Sequence, residues 1–519
     1  MIPWLSRWWK KQSLIQQGLH CDRKRQLEYA SELVFFLDCS PVVRTAILIL
    51  GLLGTIRVST WHSTMPLWEI VVWCVLLFGV ILFMMPMLAR EVWKTNRLLA
   101  LVMICFVGNL LLNKTLFVLL DKFTVFDIGI ATDLLVPAVL GPMLVTILIS
   151  CHAGILLALL LAAANNVFLG GGQDPILLSS LLTGLASVLF TRRIRRRSNL
   201  LMAGVAVGLV GLGCTLLQGG VTHLSAMVLL VHGIWAVFLG VVTAFVVGAV
   251  LPVFEWMFDR ITDISWLELT DLNHPLLKRL IMEAPGTYHH SLMVGNLAEA
   301  GAQEIGANPG MCRVLSYFHD IGKLTKPNYF IENSSVEENP HNDLAPSMSA
   351  LIIIAHVKEG VDMAITHGLP NPVIDAIQQH HGTTLVYYFY RKALQQMEDA
   401  RRGSEILKMR KEDMPEVEEA SFRYSGPIPQ FKESAIVSLA DSIESSSRNL
   451  THPTPQAIET LVNDIIKQRL DEGQLDDSQL TLQEIRRIAE RFIFTLKTML
   501  HARIQYPSAK EKDSEDHDS

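Results

Sequence analysis

Residues 316–324 read SYFHDIGKL, which sets a nitrogen ligand, His319, directly beside an oxygen ligand, Asp320. A lone His-Asp step is common and usually marks nothing more than a polar helix end. The rest of the chain adds His289 and His290 in TYHHSLMV, His356 in IIIAHV, His380 and His381 in QQHHGT, and Asp441 in SLADSIE. Each has an ordinary structural reading: His356 as a hydrogen-bonded core histidine, Asp441 as a partly buried polar residue, His380-His381 as a helix end balancing the macrodipole. Taken together they are five or six imidazoles and two carboxylates on helices of one domain, a set that suits two divalent ions. Imidazole and carboxylate without thiolate favour Fe or Mn over Zn or Mg. A carboxylate can also bridge, and two ions about 3.5–4 Å apart can clamp the oxygens of an in-line phosphoryl displacement.

The elements that must position these groups are helical. From about Glu255 onward the chain shows helical periodicity with loop punctuation and little two-residue alternation, so this half is expected to be all-α. Asn371-Pro372 offers a capping side chain before a proline at the first helical position, and that helix is expected to stop at Gly382. Asn308-Pro309 opens a second helix, expected to stop at Gly322. Both candidate pairs therefore fall at C-terminal helix ends, where side chains can turn into a shared cleft. In the Asp441 helix, the small Ser438 and Ser445 lie one turn away on either side. The charged segment 391–433, with its YSGPIPQ loop, reads as an excursion from the helical bundle.

Ahead of this half the chain is mostly apolar from about Pro41 to Phe254, and the mean hydropathy of the whole is +0.33. Apolar runs long enough to cross a bilayer fall at 41–58, 67–88, 98–120, 133–150, 153–170, 174–190, 199–217 and 225–253, about eight in all. Basic residues cluster in the N-terminal arm, in REVWKTNR (90–97) and in TRRIRRR (191–197), whereas DKFTVFD (121–127) and GGGQD (170–174) fall on the opposite side. Eight spans put every basic loop and both termini in the cytoplasm. Trp4, Trp8 and Trp9 beside Lys10 and Lys11 suggest an interfacial helix, and no cleavable signal is expected. Asn165 and Asn166 are expected to hydrogen-bond between helices, Lys114 to snorkel from a span end, and His232 to be a packed polar residue. Nothing here resembles a paired ion pathway, which disfavours a transporter. The expected organisation is an N-terminal arm (1–40), a helical membrane domain (41–254), a soluble domain (255–507) and a disordered tail (508–519).

A net charge of −6 over 519 residues argues against a surface for a nucleic-acid polymer. The seven cysteines form no CxxC pair, so neither a disulfide framework nor a zinc cluster follows from them.

The order H…HD…H…HH…D, filled by His290, His319-Asp320, His356, His380-His381 and Asp441, resembles a bimetal HD-domain phosphohydrolase. The surroundings narrow this further. APGTYHHSLMVGNLAE, FHDIGK, FIENSSVEENPHNDLAPSMSALIIIAHVKEG, QHHGTTLVYYFY and FRYSGPIPQFKESAIVSLADSIE resemble the multi-span membrane HD family of cyclic-di-AMP phosphodiesterases of the PgpH type. The resemblance covers essentially all of 282–507, with a compatible helical membrane domain before it. It implies that His290, His319, Asp320 and Asp441 hold one metal and that Asp320, His356, His380 and His381 hold the other, with Asp320 bridging. His290, immediately before Ser291, takes the motif position, leaving His289 to orient substrate or pack. A hydroxide bridging the ions would open one phosphodiester of a cyclic dinucleotide to give linear pApA. The ions and Lys323 would stabilise charge on the phosphate oxygens, although Lys323 also reads as an ordinary surface lysine after the helix. The implied setting is a bacterial inner membrane with the catalytic domain in the cytoplasm. Homo-oligomerisation is compatible with it.

The chain departs from the family pattern in one respect. Only a short loop, 59–66, separates the first two spans, where members commonly carry a large extracytoplasmic domain. Three rivals share part of the logic. A cyclic-di-GMP phosphodiesterase of the HD-GYP type should carry Gly-Tyr-Pro after its paired histidines, where this chain has HHGTTLVYYFY. A (p)ppGpp hydrolase uses an HD site, but the motif surroundings point elsewhere. A membrane receptor that binds a nucleotide without cutting it is the third, and the complete ligand set argues against it.

Overall fold

The computed structural model describes residues 36–123, 138–169, 174–221, 225–334, 339–406, 417–450 and 453–501. The tryptophans of the N-terminal arm, most of the loops at 121–127 and 170–174, and the tail 508–519 lie outside the described residues. Two compact units divide the chain, residues 1–264 and 265–519. Among the described residues both are helical, and the one β feature is an isolated antiparallel bridge between Leu385 and Arg423.

The first unit contains α1 (Pro41–Thr60), α2 (Leu67–Leu88), the short α3 (Arg90–Lys94), α4 (Asn96–Phe123), α5 (Leu140–Leu148), α6 (Cys151–Phe168), α7 (Asp174–Thr191), α8 (Arg197–Val221) and α9 (Ala226–Phe258). Among the described residues six helices, α1, α2, α4, α6, α8 and α9, are long and apolar enough to cross a membrane. The other two expected spans also contain helix among the described residues. The span at 133–150 is seen as the nine-residue α5, and the span at 174–190 as an apolar segment, Ile176–Thr191, inside α7.

Some buried amides in this unit are tied between helices, because a lone amide in an apolar surrounding is costly. The Asn113 amide donates to Asn165 Oδ1 at 3.3 Å, and Asn165 donates to Ser180 Oγ at 3.3 Å, the helix-to-helix role expected of Asn165. Lys114 does not snorkel. It is buried, and its ammonium donates to the Phe168 carbonyl at the end of α6, 3.0 Å away. α8 and α9 come together through glycine. A Cβ on Gly240 would meet Gly208 N at 2.7 Å and Gly204 O at 2.5 Å, so no larger residue fits that crossing.

The short α10 (Asp263–Leu269) runs across the division between the units, and in the second unit α11 (Pro275–Glu283) leads into α12 (Pro285–Ile305). Then come α13 (Pro309–Phe318), α14 (Pro346–Thr366), α15 (Asn371–Gln379), α16 (Tyr387–Ile406), α17 (Lys432–Ser447), α18 (Pro455–Asp471) and α19 (Leu482–His501). α12 and α17 form the centre. α17 buries a continuous run from Ser434 to Asp441, and α12 packs on α13, α17 and α19.

The chain breaks are local chemistry. Gly306, at φ +75°, ends α12 in the left-handed region open to glycine. Asn308 then caps α13, its side chain accepting from Met311 N at 3.0 Å with Pro309 in the first turn. The other expected cap shifts by one residue: Pro370 is the N-cap, and Asn371 is already the first residue of α15. Both helices also stop before their expected glycines, at Phe318, four residues short of Gly322, and at Gln379, three short of Gly382, so His319 and His380 stand in the C-cap positions.

Candidate metal centre

Five segments deliver the candidate ligands to one place. α12 supplies His290, the end of α13 supplies His319 and Asp320, the middle of α14 supplies His356, the end of α15 supplies His380 and His381, and α17 supplies Asp441. All are buried apart from His381, which is partly exposed. After His319 the chain turns into a 3-10 segment, Ile321–Thr325, which presses against α14. A Cβ on Gly322 would run into the His356 carbonyl and come within 2.6 Å of Gly360 N, so this contact depends on glycine. That contact holds the His319-Asp320 corner over the helix that carries His356.

Asp320 lies between two groups of imidazoles. Its Oδ2 is 3.2 Å from His319 Nε2 and 3.5 Å from His290 Nε2. Its Oδ1 is 3.4 Å from His356 Nε2 and 3.7 Å from His380 Nε2. Asp441 stands on the first side, with Oδ1 3.0 Å from His290 Nε2, and its Oδ2 is 3.7 Å from His381 Nδ1. Ligand atoms cluster closely enough for a cation in three overlapping sets: His290–His319–Asp441, His356–His380–His381, and His319–Asp320–His380.

Ring orientation is fixed from behind. His319, His356 and His380 each donate Nδ1–H to the carbonyl three residues earlier, at 2.7, 2.5 and 2.8 Å, which leaves Nε2 as the lone-pair nitrogen facing inward. Two inward atoms, His319 Nε2 and Asp320 Oδ1, are buried without a hydrogen bond. Burial without a partner is costly for both, and a divalent cation would satisfy both. The donor set therefore fits the ions that the sequence implies.

Charge in the site reads the same way. Against the opposing effect of burial, the Asp320 and then the Asp441 carboxylates push His319 up to about 10, so a proton serves there where a cation would. Burial, then the positive charge of His319, pushes His380 down to about 3, leaving a neutral imidazole ready to ligate. Asp320 and Asp441 are held well below the usual carboxylate range in spite of burial, Asp320 by His319 and Lys323 and Asp441 by His290 and His319.

Lys323 is not a surface residue. Its ammonium lies 2.8 Å from Asp320 Oδ2 and 2.8 Å from Glu332 Oε1, and 5.0 Å from the centre of the Phe330 ring. Thr287 Oγ1 donates to Glu332 at 3.1 Å, and Asn333 Nδ2 donates to Thr287 Oγ1 at 2.8 Å, so the start of α12 and the loop after α13 lock together around this lysine. His289 is absent from the clustered ligand sets, and its neighbour His290 fills the position.

Three contributors escaped sequence reading. Glu444 accepts from His290 Nδ1 at 2.5 Å. Glu332 holds Lys323 as described. Tyr424 stacks on His381 with ring centroids 4.3 Å apart, so the segment read as an excursion returns to the site. The spacing of Glu444, one turn beyond Asp441 on the same helix face, was the available signal for the first. Tyr424 and Glu332 sit in loops, and no periodicity marks them.

A helical membrane unit followed by a helical domain with this histidine and aspartate order defines a membrane HD-domain protein. Residues 64–262 match the family described as 7TM receptor with intracellular HD hydrolase, and residues 287–446 match the HD domain family. The chain is thus similar to membrane HD-domain proteins along these two segments, and it is a multi-pass membrane protein. Among its relatives is the cyclic-di-AMP phosphodiesterase PgpH of Listeria monocytogenes serotype 1/2a (strain 10403S), 41% identical over 382 residues, or 73% of this chain and 51% of the relative. The cyclic-di-AMP phosphodiesterase PgpH of Bacillus subtilis (strain 168) is 37% identical over 387 residues, covering 73% of this chain and 52% of the relative. A crystal structure of the L. monocytogenes PgpH HD domain in complex with cyclic-di-AMP aligns at 45% identity over 44% of this chain and 100% of that one, with a TM-score of 0.40. The chain spans about half the length of the curated relatives it matches.

Proposed function

We propose that this protein is a membrane-anchored, metal-dependent phosphodiesterase that opens cyclic-di-AMP to linear pApA. The observation that carries the hydrolytic reading is the position of Asp320, whose two oxygens face two separate imidazole groups as a carboxylate shared by two cations requires. The substrate rests on the names of the relatives, because ligands that face phosphate do not distinguish adenine from guanine.

In this reading Asp320 is shared, His290, His319 and Asp441 complete one position, and His356, His380 and His381 complete the other. Fe or Mn suits that imidazole and carboxylate set. When bound, such ions supply Lewis acidity and an ionised water near neutral pH. The chain's own residues do the rest. The backbone carbonyls behind His319, His356 and His380 keep each Nε2 facing inward. Lys323 places two of its three donors on Asp320 and Glu332, which leaves one for a phosphate oxygen. Tyr424 holds His381, the most exposed of the candidate ligands, against one wall of the cleft.

In this reading the chemistry lies on the cytoplasmic face of a bacterial inner membrane, the side on which the basic loops of the sequence are expected. The match to a family described by seven membrane spans begins at residue 64, after α1, and seven plus α1 supports the eight crossings expected from the sequence. Whether copies associate is a separate matter, on which the reading does not depend.

The test uses the purified full chain in detergent, loaded with Mn and offered cyclic-di-AMP, cyclic-di-GMP and (p)ppGpp. Formation of pApA with the highest kcat/KM on the adenine dinucleotide is expected. Comparable or better turnover of the guanine dinucleotide would reject the substrate assignment.

A further inference from the structure

His290 is held unlike its neighbours. Where His319, His356 and His380 give Nδ1 to a carbonyl of their own helix, His290 Nδ1 lies 2.5 Å from Glu444 Oε2, a buried carboxylate on α17. Asp441, one turn earlier on α17, faces the other nitrogen of the same ring at 3.0 Å. One helix face thus brackets the imidazole with two carboxylates. Arg448, a further turn along, donates its Nε to Glu444 Oε1 at 2.9 Å and to Oε2 at 3.1 Å and fixes the carboxylate in turn.

A carboxylate behind an imidazole raises its basicity as a ligand more than a carbonyl does. Formal charge is distributed with the same bias. The His290–His319–Asp441 set has Asp441 within it and Glu444 behind it, whereas the His356–His380–His381 set has no carboxylate of its own. Asp320 faces both.

We propose that Glu444 is the positioning residue of the His290 side and makes the two ion positions unequal, so that the position formed by His290, His319 and Asp441 fills first and binds more tightly. Glu444 acts through His290 and does not itself touch substrate. The inference rests on the two-ion reading above but not on the identity of the nucleotide.

The experiment is a titration of the chelator-stripped full chain in detergent with MnCl2, free Mn being followed by its paramagnetic resonance signal. Wild type is expected to show a tighter and a weaker class of site, and His381→Ala to remove the weaker one. Glu444→Gln keeps the size and an oxygen acceptor but removes the charge. It is expected to weaken the tighter class by about 10–100-fold and to leave the weaker class in place. Arg448→Met, which removes only the outer ion pair, is expected to have a much smaller effect. Two equal classes in wild type, an unmoved tighter class in folded Glu444→Gln, or a loss confined to the weaker class would each overturn the proposal. So would an Arg448→Met effect as large as that of Glu444→Gln, because the role would then be structural. Two unequal Mn sites in a protein that leaves every nucleotide uncut would reject the proposed activity while supporting this inference.

Discussion

Asp320 has to satisfy Lys323 and two sets of imidazoles at once, so its removal separates a structural role from a shared-ligand role. As an ordinary polar residue at a helix end, Asp320→Ala should cost about 1 kcal/mol and leave activity intact. As a shared ligand it takes one donor from each position and leaves two cations facing each other without a negative charge between them. The expected outcome is the loss of at least one ion per chain and a fall in hydrolysis of several orders of magnitude, with expression and helical content near wild type. Metal content and turnover measured on the same preparation decide this, and a folded variant with two ions and normal turnover ends the shared-ligand reading. Lys323→Met probes the other partner of the same carboxylate. With the metal donors intact, kcat is expected to drop about 10²-fold while metal content holds, as for the loss of one donor to a developing phosphate charge. The histidines and aspartates were legible in the sequence because ligand types are few and the paired motifs mark helix ends. Glu332, Glu444 and Tyr424 were not, since glutamate and tyrosine are common and their roles come from which loop or helix the fold lays beside them.

At the scale of elements, the close contact of the 3-10 segment with α14 fixes the distance between the His319-Asp320 corner and His356. Gly322 has no room for a Cβ, and Gly360 opposite it is similarly enclosed, with Ile377 Cγ2 2.9 Å from where its own Cβ would sit. Gly322→Ala is therefore expected to push the corner off α14, destabilise the second unit by about 1–3 kcal/mol and reduce bound metal. Hydrogen exchange at the amides of 319–325 and 353–360 would locate the effect; unchanged protection with full metal content would exclude it. Helix class was readable along most of the chain because apolar periodicity and the Asn308-Pro309 cap act locally. Helix ends were less so. α13 and α15 both stop before the glycines that seemed to end them, because the ligand pairs themselves turn the chain into the centre. In the membrane unit, α7 covers the whole of the expected span 174–190, because an apolar run bounded by Asp174 and the basic residues after Thr191 fixes both ends locally.

For the whole molecule, the decisive issue is which side of the bilayer the HD domain occupies, because the proposed substrate is cytoplasmic. Reporter fusions after Ser59 and after Arg197 are expected to fall on opposite faces, with residues after Glu255 on the Arg197 face. Detection of the residues after Glu255 outside the cell would remove the function along with the topology.

The five segments that meet at Asp320 are spread over the chain from His290 to Asp441, with long loops of sequence between them. In the unfolded chain those donors are far apart and bind a cation weakly. In the folded domain bound ions would work as reversible cross-links, tying α12, α13, α14, α15 and α17 together around Asp320. Stability of this half should then rise with the free concentration of metal, by the logarithm of occupancy. Chelation should lower its melting temperature and expose 285–447 to protease before any other helical stretch of the second unit, and re-addition of Mn should reverse both changes. Metal supply would in this way govern how long the domain survives in the cell as well as how fast it works.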